Sequence, residues 1–317
     1  MVKSPFDCIF PFNRSKKPTS EPQKCYPLLK LSGETRIRLR ELASPLEAYN
    51  LQRADIDQTM NLVPFQYTIR GHFRVDEFGL HRRAPIGKTA LVVDSNTLYT
   101  AETLEICNIT FDNPIFGHLI LNSSHLTFTS CNLDQRFLDA LKLRLTGTCF
   151  NLKLQFCNLP EPNTLTKLAE AVPSANMVYI QLRNCENWYS IVLNANKTWT
   201  FKVELHGTLE DILRDITIED FCKLLNTDYF GTFTLEFHIQ PETATWEDTE
   251  AVLVSYFDGH FRSTEFVGAF YAGLKVIVQN EEHFYTLIEQ SNRPKRHNVS
   301  AANKGCFDLW MLWHAND

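Results

Sequence analysis

Four cysteines, Cys107, Cys131, Cys157 and Cys185, recur at intervals of 24, 26 and 28 residues, each near the end of a short alternating apolar segment. The segments read LEICNITF (104–111), LTFTSCNL (126–133), LKLQFCNL (152–159) and YIQLRNCEN (179–187). Successive strand side chains face opposite sides, so each segment predicts a strand with one buried and one open face. Strands repeated at this period cannot bury their apolar face alone and must stack on one another.

Between these strands lie segments of helical pattern, LDQRFLDALKLRL (133–145) and NTLTKLAEAV (163–172), the second opened by Asn163 as an N-cap. Strand followed by helix at a 24–28-residue spacing is the signature of leucine-rich-repeat-like bodies, where a Cys or Asn after the strand marks the corner. Leu152 and Leu154 are expected to point inward. Thr127, Thr129, Lys153 and Gln155 are expected to line the outward, partner-binding face. The alternation continues with strands at 199–207, 233–240 and 274–278, and helices at 217–226, 246–257 and 280–290. The fold class is therefore α/β, with a curved repeat body over residues 64–317 and position 190 as a point of subdivision. Residues 64–98, broken by Gly71, Gly79, Pro85 and Gly87, predict short strands or a hairpin.

Composition limits what such a body can do. With 44% hydrophobic residues, 23 Phe and 12 Gly, the 317-residue chain has material for a packed core in one domain or two. A formal charge of -6 and a pI near 5.9 supply no general attraction for nucleic acid. Nine cysteines, an odd number set in strand-like patterns, suit a reducing compartment, cytoplasmic or nuclear. The apolar run FVGAFYAGLKVIV (266–278) is too short to span a bilayer and contains Lys275, so no membrane association is expected. Asp7 and Pro11 interrupt the N-terminal apolar residues, which argues against a secretory leader.

Residues 1–24 have the composition of a disordered tail, and residues 25–63 place apolar positions at helical spacing around turn signals at Ser32-Gly33 and Ser44-Pro45. No sequence motif carries chemistry. GKT at 87–89 lacks the glycine a phosphate loop needs, since position 82 is Arg82. The ten histidines are scattered, and a metal site would need ligands gathered from afar. Asp258, His260 and Glu265, and likewise Glu281, Glu282 and His283, read as residues of turns and helix starts. The basic stretch RPKRH (293–297) reads as a solvated loop and the aromatic WMLWH stretch as a docked terminus. No catalytic residue, cofactor or metal is expected.

Residues 26–51, YPLLKLSGETRIRLRELASPLEAYNL, resemble the degenerate F-box of the nematode F-box protein family. The resemblance rests on Tyr26, Pro27, Leu28, Leu29, Leu31, Leu42, Ser44, Pro45, Leu46, Glu47, Asn50 and Leu51. It implies a small helical module preceding a leucine-rich-repeat-like region. It also implies a non-enzymatic substrate-recruiting adaptor of a cullin-RING ubiquitin ligase. In that role Pro27, Leu28, Leu29, Leu31, Leu42, Pro45 and Leu46 would contact the ligase adaptor subunit of the cullin complex, and the repeat region would hold a protein substrate. The alternative is a leucine-rich-repeat-like interaction scaffold with no ligase connection.

Overall fold

The computed structural model describes residues 30–55, 65–83, 87–94, 96–185, 187–195, 199–214, 216–226, 233–240, 244–257, 259–264 and 273–287. The tail 1–24, the sites Pro27, Leu28 and Leu29, Asp258, Glu265 and the segments RPKRH and WMLWH lie outside these residues.

Two helices come first, α1 (Gly33–Leu42) and α2 (Pro45–Ala54). Their starts explain the local sequence. Ser32 caps α1, its Oγ accepting from Thr35 N at 3.2 Å. Ser44 and Glu47 form a reciprocal capping box around Pro45, with Ser44 N donating to the Glu47 carboxylate at 2.9 Å. The helix α2 buries Ala48 and Leu51, whereas α1 buries no residue.

Next come β1 (Tyr67–Asp76), β2 (Gly79–Arg83) and β3 (Lys88–Ala90), paired antiparallel as the turn residues predicted. Lys88 and Thr89 are exposed strand residues, so the GKT triplet forms no phosphate loop. The repeating part follows: β4 (Thr97–Cys107), β5 (Leu119–Ile120), β6 (His125–Thr129), α3 (Gln135–Arg144), β7 (Asn151–Gln155), α4 (Thr164–Ala171), β8 (Met177–Arg183) and α5 (Trp188–Leu193). It continues with β9 (Thr200–Gly207), α6 (Leu209–Leu213), α7 (Ile218–Asn226), β10 (Phe233–Ile239) and α8 (Trp246–Phe257), then β11 (Phe261–Thr264), β12 (Gly273–Val278) and β13 (Glu281–Leu287).

Among the described residues all thirteen strands belong to one sheet, ordered β11-β13-β12-β10-β9-β8-β7-β6-β4-β1-β2-β3, with β5 against β4. Every pairing from β1 through β4, β6, β7, β8, β9 and β10 to β12 is parallel. Parallel neighbours need a crossover, which the intervening helices supply from β6 to β12, whereas β1 returns to β4 by way of β2 and β3. Position 190 falls inside α5, and the strands on either side of it, β8 and β9, pair directly over seven residues.

Helices cover one face. Phe137 of α3 packs edge-on against Phe128 of β6 at 5.3 Å, and Trp188 and Phe221 meet Phe237 of β10 at 6.4 and 6.0 Å. Leu126, Phe128, Leu152, Leu154, Ile180, Val203 and Leu235 fill this core, each 2% exposed or less. Leu152 and Leu154 thus point inward as their alternation required.

The recurring Cys-Asn-Leu phrase is a corner. Asn108, Ser130, Phe156 and Asn184 each adopt a left-handed conformation, with φ between 48° and 53°. Their backbone N–H groups donate to Thr129, Gln155, Gln181 and His206 of the next strand at 2.8–3.1 Å. A left-handed non-glycine residue is costly, and a repeated ladder hydrogen bond offsets it. Cys131 and Cys157 follow this residue and turn inward, their Sγ atoms donating to Ile106 O at 3.3 Å and Phe128 O at 3.2 Å. Asn158 Nδ2 donates to Asn132 Oδ1 at 2.9 Å, stacking the two asparagines. Leu133 and Leu159 close the phrase in the core.

Three expectations are corrected. Cys107 is no corner: it pairs opposite Thr129, two positions before the place held by Cys131, and Ile109 occupies the corner instead. Asn163 precedes α4 but its side chain makes no cap bond. Residues 281–287 form strand β13 where a helix was expected. There Gln279 and Asn280 both take positive φ, 50° and 70°, giving a two-residue hairpin turn whose twist suits antiparallel strands.

The corner assignment has a chemical consequence. Burial pushes the Cys149 thiol up to about 12, and the adjoining Cys131 thiol together with burial raises Cys157. The contact with Cys157 lowers Cys131 instead, yet both thiols are buried, Cys131 at 1% and Cys157 at 8% exposure, so iodoacetamide should reach them only once the protein unfolds. Rapid native labelling, read by mass spectrometry, would remove the ladder.

Candidate functional site

The face opposite the helices is polar, and its residues fall into rows across the strands. One row runs Arg74, Glu105, Thr127, Lys153, Tyr179 and Lys202; the next runs Cys107, Thr129, Gln155, Gln181, Glu204, Glu236 and Lys275. Each strand contributes one residue per row because parallel pairing is in register and every second side chain shares a face. The expected partner-binding residues Thr127, Thr129, Lys153 and Gln155 are brought together as two adjacent columns of this array. Lys153 is nonetheless buried, its ammonium lying 5.2 Å from the centre of the Tyr179 ring, with Lys202 at the same distance.

The second row is wired. Thr129 Oγ1 donates to Gln155 Oε1 at 3.2 Å, Gln155 Nε2 to Gln181 Oε1 at 3.0 Å, and Gln181 Nε2 to Glu204 Oε2 at 2.8 Å. Every donor points the same way, so each bond polarises the next and the chain ends on a carboxylate. Gln181 also donates to the Tyr179 hydroxyl at 2.6 Å. Burial, followed by the Glu204 charge, raises the Tyr179 phenol, which stays protonated.

Charge concentrates at the far end of the row. Lys202 Nζ lies 2.7 Å from Glu204 Oε1 and 3.0 Å from Glu236 Oε1. Burial alone would push the Glu204 carboxyl upward, but His206, Lys202 and Gln181 hold it well below the usual carboxylate range. Burial would likewise lower Lys202, and Glu236 and Glu204 raise it instead. The other two oxygens face the histidines of the following row. His206 Nε2 is 3.6 Å and His238 Nε2 3.7 Å from Glu204 Oε2, and His238 Nε2 is 3.4 Å from Glu236 Oε2. The two imidazoles stack at 4.3 Å, and Phe156 meets His206 edge-on at 5.4 Å. Beside His206, a cleft at the carboxyl ends of β8 and β9 is lined by Asn184, Trp188, Asp211 and Arg214.

At the opposite end Glu105 takes Arg74 at 2.8 Å and Arg83 at 3.0 Å. Cys107 Sγ donates to the same carboxylate at 3.2 Å, and burial together with that charge pushes its thiol up to about 12. A thiol so placed is no nucleophile at neutral pH.

The acidic and histidine group at 281–283 is split between the two faces of β13, His283 Nε2 lying 3.8 Å from Glu281 Oε2 with Glu282 on the other face. His283 stacks flat on Trp246 of α8, whereas Glu282 pairs with Lys275 at 2.6 Å on the strand beside it. On the N-terminal module Leu42 is exposed, while Leu31, Pro45 and Leu46 are half-buried.

Sequence reasoning missed the cluster of Glu204, His206, Glu236 and His238. Its signal was present as two Glu-x-His triplets, ELH at 204–206 and EFH at 236–238, on strands that pair in register. Among the described residues no helix is long and apolar enough to cross a membrane. No family model, curated protein or solved structure matches the chain.

Proposed function

We propose that the chain is a non-catalytic recognition protein, a substrate-recruiting adaptor of a cullin-RING ubiquitin ligase. On this reading a leucine-rich-repeat-like sheet presents its open face to a protein substrate and the helical pair contacts the ligase adaptor subunit. The observation that carries it is the exposure of Ile37 and Leu42 on α1, at 62% and 67%, next to a helix that is itself seated on the body. A helix that buries nothing of its own yet presents large apolar side chains has an apolar surface to offer a partner. The open face suits a recognition role because its charges are paired with one another and its donors are held in one orientation, so docking needs little reordering.

A second reading, an interaction scaffold without ligase connection, is favoured by Ala48 and Leu51. These residues bury α2 within the chain, so the capping box and its proline serve a local structural end.

Affinity capture of the full-length protein separates the two. Wild type should bring down the adaptor subunit and cullin, and Ile37→Asp with Leu42→Asp should cut their recovery at least roughly tenfold, since a charge must be desolvated in an apolar contact. Both positions are exposed, so the fold survives the change. Capture of substrate-like partners by wild type with neither cullin nor adaptor would establish the scaffold.

A further inference from the structure

We infer that Glu204, His206 and His238 form a binding site for a divalent transition-metal ion of the zinc class. The three side chains come from two adjacent strands: Glu204 and His206 are two apart on β9 and so share a face, and His238 lies opposite His206 on β10. Their ligand atoms all lie within 4.8 Å of one another. Tetrahedral zinc, with bonds of about 2.0–2.1 Å to nitrogen and oxygen, holds its ligands about 3.3–3.5 Å apart. Both Nε2 to Glu204 Oε2 distances, 3.6 and 3.7 Å, stand within a few tenths of that.

Three further observations converge on a cation. First, His206 Nε2 and His238 Nε2 are both shielded from solvent and make no hydrogen bond, which leaves two imidazole nitrogens beside the Glu204 carboxylate. Their rings stack nearly parallel, so one of them would rotate to share an ion with the other. Second, Lys202 engages the Oε1 atoms of Glu204 and Glu236, leaving both Oε2 atoms toward the histidines. Two carboxylates against one ammonium leave a net charge of -1 beside the nitrogens. Third, the ligand carboxylate is oriented from outside by Gln181, as supporting hydrogen bonds orient carboxylate ligands in metal sites. Two imidazoles and a carboxylate select zinc, cobalt or nickel over calcium and magnesium, which take oxygen alone.

The inference stands independently of the adaptor reading. Full-length protein, stripped with a chelator, is titrated with zinc chloride at pH 7.4 by calorimetry, and with cobalt chloride by visible absorption. The expected result is one saturable equivalent, and a tetrahedral cobalt spectrum without the thiolate charge-transfer band that a site built from the cysteines would give. His238→Gln and His206→Gln should each weaken zinc binding by more than the roughly 10–100-fold that loss of an orienting partner costs, and Gln181→Met by an amount inside that range. Lys142→Gln, exposed on α3 at the helical side of the sheet, should leave zinc binding unchanged. Circular dichroism confirms that each variant is folded, and His238, the more exposed ring, serves if His206→Gln is not. No saturable binding, a thiolate band, or undiminished binding by a folded His238→Gln would each overturn the assignment.

Discussion

Replacing Lys202 with methionine should destabilise the metal-free protein by about 3–5 kcal/mol at pH 7, the cost of removing one partner from a buried ion pair. It should also invert the response to acid. The lysine bridges Glu204 and Glu236, whose side chains are only 7% and 9% exposed, from a position 20% exposed itself. In the native protein Glu204 titrates below its unfolded value. Its contribution is therefore complete above about pH 4.3 and is lost as pH falls through the depressed folded value. Lys202 titrates above its unfolded value, so its contribution is complete below about pH 10.4 and is lost as pH rises beyond it. Across the neutral range wild type holds both. Without the ammonium, two carboxylates share one buried site and at least one must titrate higher, which makes protonation stabilising. Urea titrations with chelator present should show the variant gaining stability from pH 7 to pH 5 while wild type does not. A loss under about 1 kcal/mol would instead mark these carboxylates as hydrated like an exposed pair.

The acid-sensitive cluster also shows where reading the sequence stopped. Alternation of Leu152, Lys153, Leu154 and Gln155 predicted which side chains enter the core, because strand geometry is local and has period two. Likewise Ser44, Pro45 and Glu47 announced the start of α2 from residues three apart. Register between strands is not local. The two Glu-x-His triplets are 32 residues apart, and their union depends on how much chain α6, α7 and the intervening loops consume between β9 and β10. The same limit misplaced Cys107. Its spacing of 24 to Cys131 matched the other intervals, yet the left-handed residues that precede the corners, Asn108 and Ser130, are 22 apart. At 280–290 the acidic start and apolar spacing of NEEHFYTLIEQ fit a helix, and the decision fell to backbone signs at Gln279 and Asn280. Asparagine tolerates that conformation better than most residues, which was the only cue available beforehand.

Phe221→Ala should cost about 3–5 kcal/mol, and the way that loss is distributed tests whether the chain folds as one unit. Phe221 on α7 is fully buried and meets four rings: Phe237 of β10 at 6.0 Å, Tyr256 and Phe257 of α8 at 6.4 and 5.9 Å, and Phe261 of β11 at 5.6 Å. Truncation empties the space between sheet and helices, and surroundings fixed by four other aromatic contacts cannot collapse into it. In a stacked repeat each unit is stabilised chiefly by its neighbours, so damage near β10 reaches Cys131 and Cys157 through the strand pairings from β10 back to β6 and through the helices packed alongside them. The β8–β9 and β9–β10 pairings run seven residues each, longer than the five of β6–β7 and β7–β8, and no break in the sheet interrupts them. One cooperative transition is expected, its midpoint lowered by roughly 6–10 °C at about 2 °C per kcal/mol. Alkylation of Cys131 and Cys157 should follow the same lowered midpoint. A calorimetric trace that splits, with both cysteines still protected above the first transition, would mean the β8–β9 interface is weaker than the energy Phe221 supplies. The molecule would then divide near residue 190, with the metal ligands on the less stable side.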